Sequence, residues 1–223
     1  MNKNSLPVSS AVRPEDSPAA ATIISAAVVA IASNGYHGTS VRDIAEMAGV
    51  SSAVLYHYFE SKHGLLQLIM LRGTEHLHAV TEAALLAAPV DPPERLRAIV
   101  GVHVSGHLTA QREAFIGNTE LRSLEPAARQ LVVSRRDLQQ RFFDHVIEDG
   151  ASQGVFHTPY PRDASRALVT MCSAVAGWFD PKGPLSREEV TGRYQDMALA
   201  LVEYRPPRPR RRPRGSHGQQ TNV

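Results

Sequence analysis

The chain has 223 residues, 43% of them hydrophobic, which suits one domain of ordinary size or a small domain joined to a larger one. Residues 205–214 hold six arginines and no acid. Without these six, 18 of the 24 basic residues remain against 22 acidic residues, so the rest of the chain is net acidic and the net charge of +2 comes from the C-terminal end. The single cysteine, Cys172, excludes an intrachain disulfide and favours a reducing, cytoplasmic location. The apolar stretch at residues 19–32 is too short to span a bilayer, so we expect no membrane partner.

Apolar residues recur at helical spacing along the chain and no segment shows the alternation of a strand, so the sequence predicts an all-α protein. We expect residues 1–17, which are polar and contain proline, to form a disordered arm. A small N-terminal domain is predicted over residues 18–72, followed by a long helix over about 61–88. The short helices expected in that domain lie near residues 18–33, 40–47 and 51–58.

A larger helical bundle is predicted over residues 73–204. Asp91 is expected to cap a helix that has prolines and an acid in its first turn, and Ser186 with Glu189 forms a capping-box pair at the last helix. The other helices are expected near residues 91–109, 112–121, 126–154 and 161–179. The Arg/Pro-rich tail at residues 205–223 is predicted to be disordered, and it either adds affinity for phosphates or is merely solvated.

Residues 35–66 show the pattern of a helix-turn-helix. Ile44 and Ala45 give the second helix a buried face, and Gly49 supplies the positive φ that a tight turn requires. Ser51 is placed to cap the third helix, whose small first residues allow close approach to base edges in the major groove. The residues predicted to face DNA from this helix are Ser51, Ser52, Ala53, Tyr56 and His57.

This segment resembles the signature of the TetR family of transcriptional regulators, with no gap in the spacing. The matching residues are Gly35, Tyr36, Thr39, Ser40, Val41, Ile44, Ala45, Ala48, Gly49, Val50, Ser51, Tyr56, Phe59, Ser61, Lys62 and Leu65. The resemblance implies an N-terminal three-helix helix-turn-helix DNA-binding domain followed by a ligand-binding and dimerisation bundle. It also implies a homodimer that binds a near-palindromic, double-stranded DNA operator.

The resemblance assigns several residues to the phosphates of the operator. Thr39 and Ser40 open the second helix, whose dipole aids phosphate binding, and Arg42 is placed for a phosphate or the groove edge. Tyr56 and Lys62 match positions that commonly bind phosphates. Packing on the domain core is the alternative for Tyr56.

The resemblance places the base contacts on the third helix and assigns them to Ser52, Ala53 and His57. Packing is the favoured interpretation for Tyr58 and Phe59.

Two positions depart from the family pattern. Residues 19–22 stand where a basic residue is usual, and Gly64 stands where a glutamate is frequent. Residues 18–72 hold three basic and three acidic side chains, so we expect this domain to have modest electrostatic affinity for DNA. Lys3 and Arg13 of the arm, or the arginine-rich tail, would compensate.

The C-terminal half resembles a branch of the family that responds to acyl-CoA thioesters, through its E-L-R-S-L, S-R-R-D-L-Q-Q-R-F and G-P-L-S-R-E-E segments. This implies a small hydrophobic effector, with an acyl-CoA as the candidate. The candidate ligand-binding residues are Phe115, Arg122, Met171 and Trp178. Arg135 and Arg136 are further candidates for contacts with phosphates or a carboxylate, and surface ion pairs or core packing are the alternatives for all of these residues.

The remaining patterns concern dimerisation and chemistry. His103 and His107 share a helix face, but no acid or cysteine stands beside them, so we assign no metal site. We find no nucleophile motif, phosphate loop or catalytic pair of acids, and we expect neither an enzyme nor a cofactor. The resemblance therefore predicts a repressor that its ligand releases from the operator, and the alternative is a helix-turn-helix DNA-binding protein without an effector. A dimer seam, or else the core of the monomer, is expected from Met171, Val175, Phe179, Met197 and Leu201.

Overall fold

A computed structural model describes residues 6–206, which form nine α-helices, one 3-10 turn at Leu121–Ser123 and no strand, as the sequence predicted. The helices are α1 (Pro18–Asn34), α2 (Val41–Ala48), α3 (Ser52–Tyr58), α4 (Lys62–Ala87), α5 (Pro92–Thr109), α6 (Gln111–Thr119), α7 (Pro126–Ser152), α8 (Pro161–Trp178) and α9 (Arg187–Leu201). No helix of the described part has both the length and the apolar character that crossing a membrane requires. Lys3 and most of the predicted disordered tail, from residue 207 onward, lie outside the described residues.

Serine caps determine where the helices of the N-terminal domain begin. A serine side chain accepts a hydrogen bond from the first turn of each of the first four helices, namely Ser17, Ser40, Ser51 and Ser61. Ser186 and Glu189 form the predicted capping box of α9. Asp91 precedes α5 but makes no side-chain cap bond, so proline geometry rather than the carboxylate starts that helix.

Two hydrophobic cores hold the helices together. The first joins α1 to α4 and also takes in Ile116 from α6 and Val132 from α7. The second joins α5, α7, α8 and α9 around Phe143. Because α4 runs from the first core to Leu85 at the edge of the second, the boundary predicted near residue 72 falls inside a continuous helix.

The N-terminal arm was expected to be disordered, but from residue 6 onward it makes specific contacts with the helices. Ser9 donates its backbone N–H to Ser25 Oγ at 3.1 Å and its hydroxyl to Glu113 at 2.7 Å, and Ala11 is fully buried. Asp16 pairs with Arg72 of α4 through both of its carboxylate oxygens. Side chains of α1, α4 and α6 thus satisfy the polar groups of this extended segment, which its own composition does not reveal.

Candidate DNA-binding surface and ligand cavity

Helix α3 is held by one buried residue and presents the rest of its surface outward. Leu55 is its only buried side chain, while Tyr56 is 54% exposed and Ala53 and His57 are also exposed. Ser52 is half-buried at the first position of the helix. An exposed two-turn helix that is anchored at a single point has the shape needed to enter a groove.

The turn before α3 sets its direction. Gly49 has a φ of 68°, in the left-handed region, and closes α2 as the sequence predicted. Val50 donates its backbone N–H to Ala45 O at 2.9 Å and packs against the first core. Ser51 Oγ then accepts a hydrogen bond from Val54 N at 3.2 Å and caps the first turn of α3.

Thr39 does not present its hydroxyl to the surface. Only 1% of the residue is exposed, and its Oγ1 donates toward Ala30 O at 3.2 Å and Gly35 O at 2.9 Å. The predicted phosphate contact of this side chain is therefore replaced by an internal one. Thr39 thus connects the last turns of α1 and the residue after it to the start of α2.

Lys62 also turns inward, which differs from the phosphate contact expected of it. Its Nζ donates to Tyr36 O at 2.7 Å and to Thr39 O at 2.6 Å, and it lies 4.0 Å from the centroid of the Tyr36 ring. Burial lowers the pKa of Lys62. Two of the three ammonium protons hold the loop before α2, and one remains for another acceptor.

The polar side chains that stay on the surface of this domain lie on α2 and α3. Ser40 and Arg42 are exposed, and within residues 6–206 Arg42 has no ion-pair partner. Ser40 and Asp43 form a reciprocal capping box at the start of α2. Tyr58, expected to pack, is 41% exposed beside His57, whereas Phe59 packs against the first core.

A cavity of about 500 Å³ lies inside the helical bundle. Its apolar wall includes Ile69, Met70, Leu77, Val80 and Val169. Its polar groups include Thr74, His103, His107, Asn118, Arg136 and Gln139, and Ser10 and Glu113 lie at the same wall. This size and this mostly apolar lining with a few polar groups are typical of small-molecule sites.

The structure does not bring the four predicted ligand-binding residues together at this cavity. Arg122 is exposed in the 3-10 turn, and Met171 packs against the second core. Phe115 is half-buried on α6, where Ala114, Gly117 and Asn118 line the cavity instead. Trp178 is 51% exposed and lies beside Tyr194 in a shallow groove between α8 and α9. Which residues of α6 and α8 line the cavity depends on the rotation of each helix, which helical spacing alone does not determine.

Two buried histidines that the sequence suggested only as metal candidates belong to the cavity wall. Their rings are stacked with centroids 4.4 Å apart, His107 Nδ1 lies 2.8 Å from His103 O, and His103 Nε2 lies 3.0 Å from Ser173 Oγ. Burial lowers the pKa of both imidazoles, so both are neutral near pH 7. Over residues 6–206 no group of three potential ligands is arranged to hold a metal ion.

The predicted dimer seam divides between the interior and the surface. Val175 and Phe179 are buried in the second core, and Met171 packs against it. Met197 and Leu201 of α9 are 43% and 42% exposed. Together with Trp178 they leave an apolar stripe on the outer side of α8 and α9.

Two family models match the chain. One, described as bacterial regulatory proteins of the tetR family, matches residues 23–69, and the other, a tetracyclin repressor-like C-terminal domain, matches residues 89–202. The first match falls on α1 to α4, which hold the candidate DNA-binding surface. The second contains α5 to α9.

Three known proteins illustrate the similarity. The chain is 25% identical over 182 residues to the HTH-type transcriptional repressor KstR2 of Mycolicibacterium smegmatis, covering 81% of this chain and 88% of the relative. It is 31% identical to a tetR-family regulatory protein from Rhodococcus RHA1, with a TM-score of 0.79 over 84% of this chain and 98% of the other. It is 25% identical to AibR, solved in complex with isovaleryl coenzyme A and operator DNA, with a TM-score of 0.72 over 82% of this chain and 97% of the other.

Proposed function

Because the chain belongs to the TetR family of DNA-binding transcriptional regulators, we propose that it is a homodimeric, cytoplasmic repressor that a small hydrophobic ligand releases from a palindromic operator. The observation that carries this proposal is the path of α4. This helix begins directly after α3 and lines the cavity with Ile69, Gly73, Thr74 and Leu77. It therefore connects the DNA-binding surface to the candidate ligand site, and the protein acts by binding rather than by catalysis.

In this proposal α3 enters the major groove with its N-terminal end toward the bases. Ser52, Ala53 and His57 face base edges, and Ser51 positions them by capping the helix. Ser40, Arg42 and Tyr56 lie around them as phosphate contacts. Thr39 and Lys62 act through the loop that they hold in place, with one ammonium proton of Lys62 available to a phosphate.

Dimerisation through α8 and α9 would cover the apolar stripe of Trp178, Met197 and Leu201. Exposed apolar side chains of this size, grouped on one face, are typical of a protein–protein interface. A two-fold axis along this face would relate the two copies of α3. These must lie about 34–36 Å apart to enter the major groove at two sites one helical turn apart.

The cavity is proposed as the effector site, and the effector as an acyl thioester or a related hydrophobic acid. The apolar wall and the similarity to AibR, solved with isovaleryl coenzyme A, support this class. The ligand must bind the DNA-incompetent arrangement of α4 more tightly than the competent one, or no release follows. A coupling free energy of about 1–3 kcal/mol would weaken operator binding roughly 5- to 150-fold.

Fluorescence anisotropy with DNA from the region upstream of the protein's own gene tests this function. Wild-type protein should bind as a dimer and lose affinity when acyl-CoAs or hydrophobic acids are added. Gly73 lines the cavity and has nothing within 4 Å of the place of a Cβ, so the side chain of Gly73→Leu should project into the cavity and take up part of its volume, whereas Gly73→Ala adds a single methyl group.

Gly73→Leu is therefore expected to bind the operator but to respond more weakly to the ligands, while Gly73→Ala responds like the wild type. Operator binding that no acid or thioester weakens would contradict the effector part alone and would favour a DNA-binding protein without an effector. Absence of sequence-specific DNA binding would contradict the whole proposal.

A further inference from the structure

Arg95 and Arg136 are the two half-buried arginines of residues 6–206 without an ion pair, and of the two only Arg136, on α7, lines the cavity. Its Nη2 donates to the backbone carbonyl of Gly117 on α6. Within residues 6–206 no carboxylate lies in ion-pair distance of this guanidinium. Burial lowers the pKa of Arg136. A cation withdrawn from water is costly unless an anion or further hydrogen bonds compensate it.

The guanidinium is part of the cavity wall rather than of the packed interior. Arg136 lines the cavity beside His107 and Asn118. The guanidinium lies close to the backbone of Gly117, since a Cβ at that residue would lie 3.4 Å from Arg136 Nη2. The five N–H donors of an arginine form a fork that matches a carboxylate, and the bond to Gly117 O leaves most of them for a ligand.

Arg136 is the one formally positive side chain among the described lining residues, with histidines counted as neutral. Among the described lining residues the only formally charged side chains at neutral pH are Arg136 and Glu113. Glu113 is already engaged, because Ser9 Oγ and Ser10 N donate to its Oε1 at 2.7 and 2.8 Å. His107 stays neutral, since burial and the charge of Arg136 both lower its pKa.

We propose that the cavity binds a hydrophobic monocarboxylate whose carboxylate pairs with Arg136 and whose apolar body lies against Leu77, Val80 and Val169. This inference rests on the proposal that the cavity is the effector site, and it narrows the ligand class to the free acid. A coenzyme A thioester lacks this carboxylate and carries several phosphate charges, for which the described lining provides no further cation.

Isothermal titration of the purified protein with three matched ligand sets tests the inference. The probes are octanoate, phenylpropionate and cyclohexanebutyrate, each compared with its methyl ester and its coenzyme A thioester. Wild-type protein should prefer at least one of the acids over its ester by about 10- to 100-fold, the range that a hydrogen-bonded charge provides. Its thioester should bind more weakly than the acid.

Arg136→Met removes the charge while keeping an apolar stem of similar length, and it should reduce the acid-to-ester preference to about threefold or less. Arg136→Lys should keep part of the preference, because it retains the charge without the fork. The matched control is Arg135→Met, the same change at the neighbouring exposed residue, which does not line the cavity and should keep the full preference. Thermal unfolding without ligand checks that each variant is folded.

The outcomes separate this inference from the proposed function. Equal binding of acids and esters, or an acid preference that survives Arg136→Met, would overturn the role of Arg136. Tighter binding of the thioesters would overturn the free-acid class and leave an acyl-CoA effector standing. If Gly73→Leu leaves the binding of every probe unchanged, the assignment of the cavity as the ligand site is contradicted, and this inference fails together with the effector part of the proposed function.

Discussion

Replacement of Lys62 by methionine separates a structural role from a phosphate contact. The variant loses the two hydrogen bonds from Nζ to Tyr36 O and Thr39 O but keeps the apolar stem. At the lower end of the range for bonds to a charged group, about 1.5 kcal/mol each, the two contribute about 3 kcal/mol. Since burial lowers the pKa of Lys62, desolvation of the ammonium offsets part of this gain. We therefore expect the free energy of unfolding to fall by about 2 kcal/mol.

Urea unfolding followed by far-ultraviolet circular dichroism measures this loss, and the salt dependence of operator affinity measures the other role. Arg42→Met is the control, because Arg42 is exposed and has no ion pair in the described part of the chain. It should leave stability unchanged and reduce the slope of log affinity against log salt by about 2 per dimer. If Lys62→Met instead behaves like Arg42→Met, with unchanged stability and a lower slope, the internal role of Lys62 is refuted.

Three further predictions concern stability and reactivity. Burial lowers the pKa of His103 and His107, so the unfolded chain takes up protons before the folded protein does as the pH falls below about 6.5. The free energy of unfolding should therefore drop by up to about 1.4 kcal/mol per pH unit for each histidine. In His103→Gln, the free energy of unfolding measured in urea should depend less on pH between about pH 7.5 and 5.5. Burial raises the pKa of Cys172 to about 12, so a thiol reagent should label it only in urea, and rapid labelling of native protein would contradict this burial. The Arg72 guanidinium holds the pKa of Asp16 below its usual range, so Asp16→Asn should cost about 2 kcal/mol in thermal unfolding, and an unchanged midpoint would show that the arm contributes nothing.

Local signals in the sequence were sufficient to predict the helix-turn-helix. The caps at Ser40, Ser51 and Ser186 and the left-handed Gly49 depend on groups within a few residues, so a spacing rule identifies them. The all-α class followed in the same way, because one apolar period recurs along the chain. A helix anchored by Leu55 alone leaves Ala53, Tyr56 and His57 exposed, while Tyr58, expected to pack, is exposed as well.

Only the tertiary structure decided which way the remaining side chains face. Thr39 and Lys62 match a family signature, yet their polar atoms meet carbonyls of α1 and of the loop between α1 and α2, up to 26 residues away in the chain. The arm is ordered because Ser9 meets Glu113, 104 residues further along. The residues that line the cavity depend on how α6, α7 and α8 are rotated about their axes. This rotation brings Arg136 to the cavity wall and leaves Phe115 out of the lining. These arrangements depend on packing between helices that are distant in the sequence. The apolar period of a helix shows which of its faces is buried, but not which other helix packs against that face.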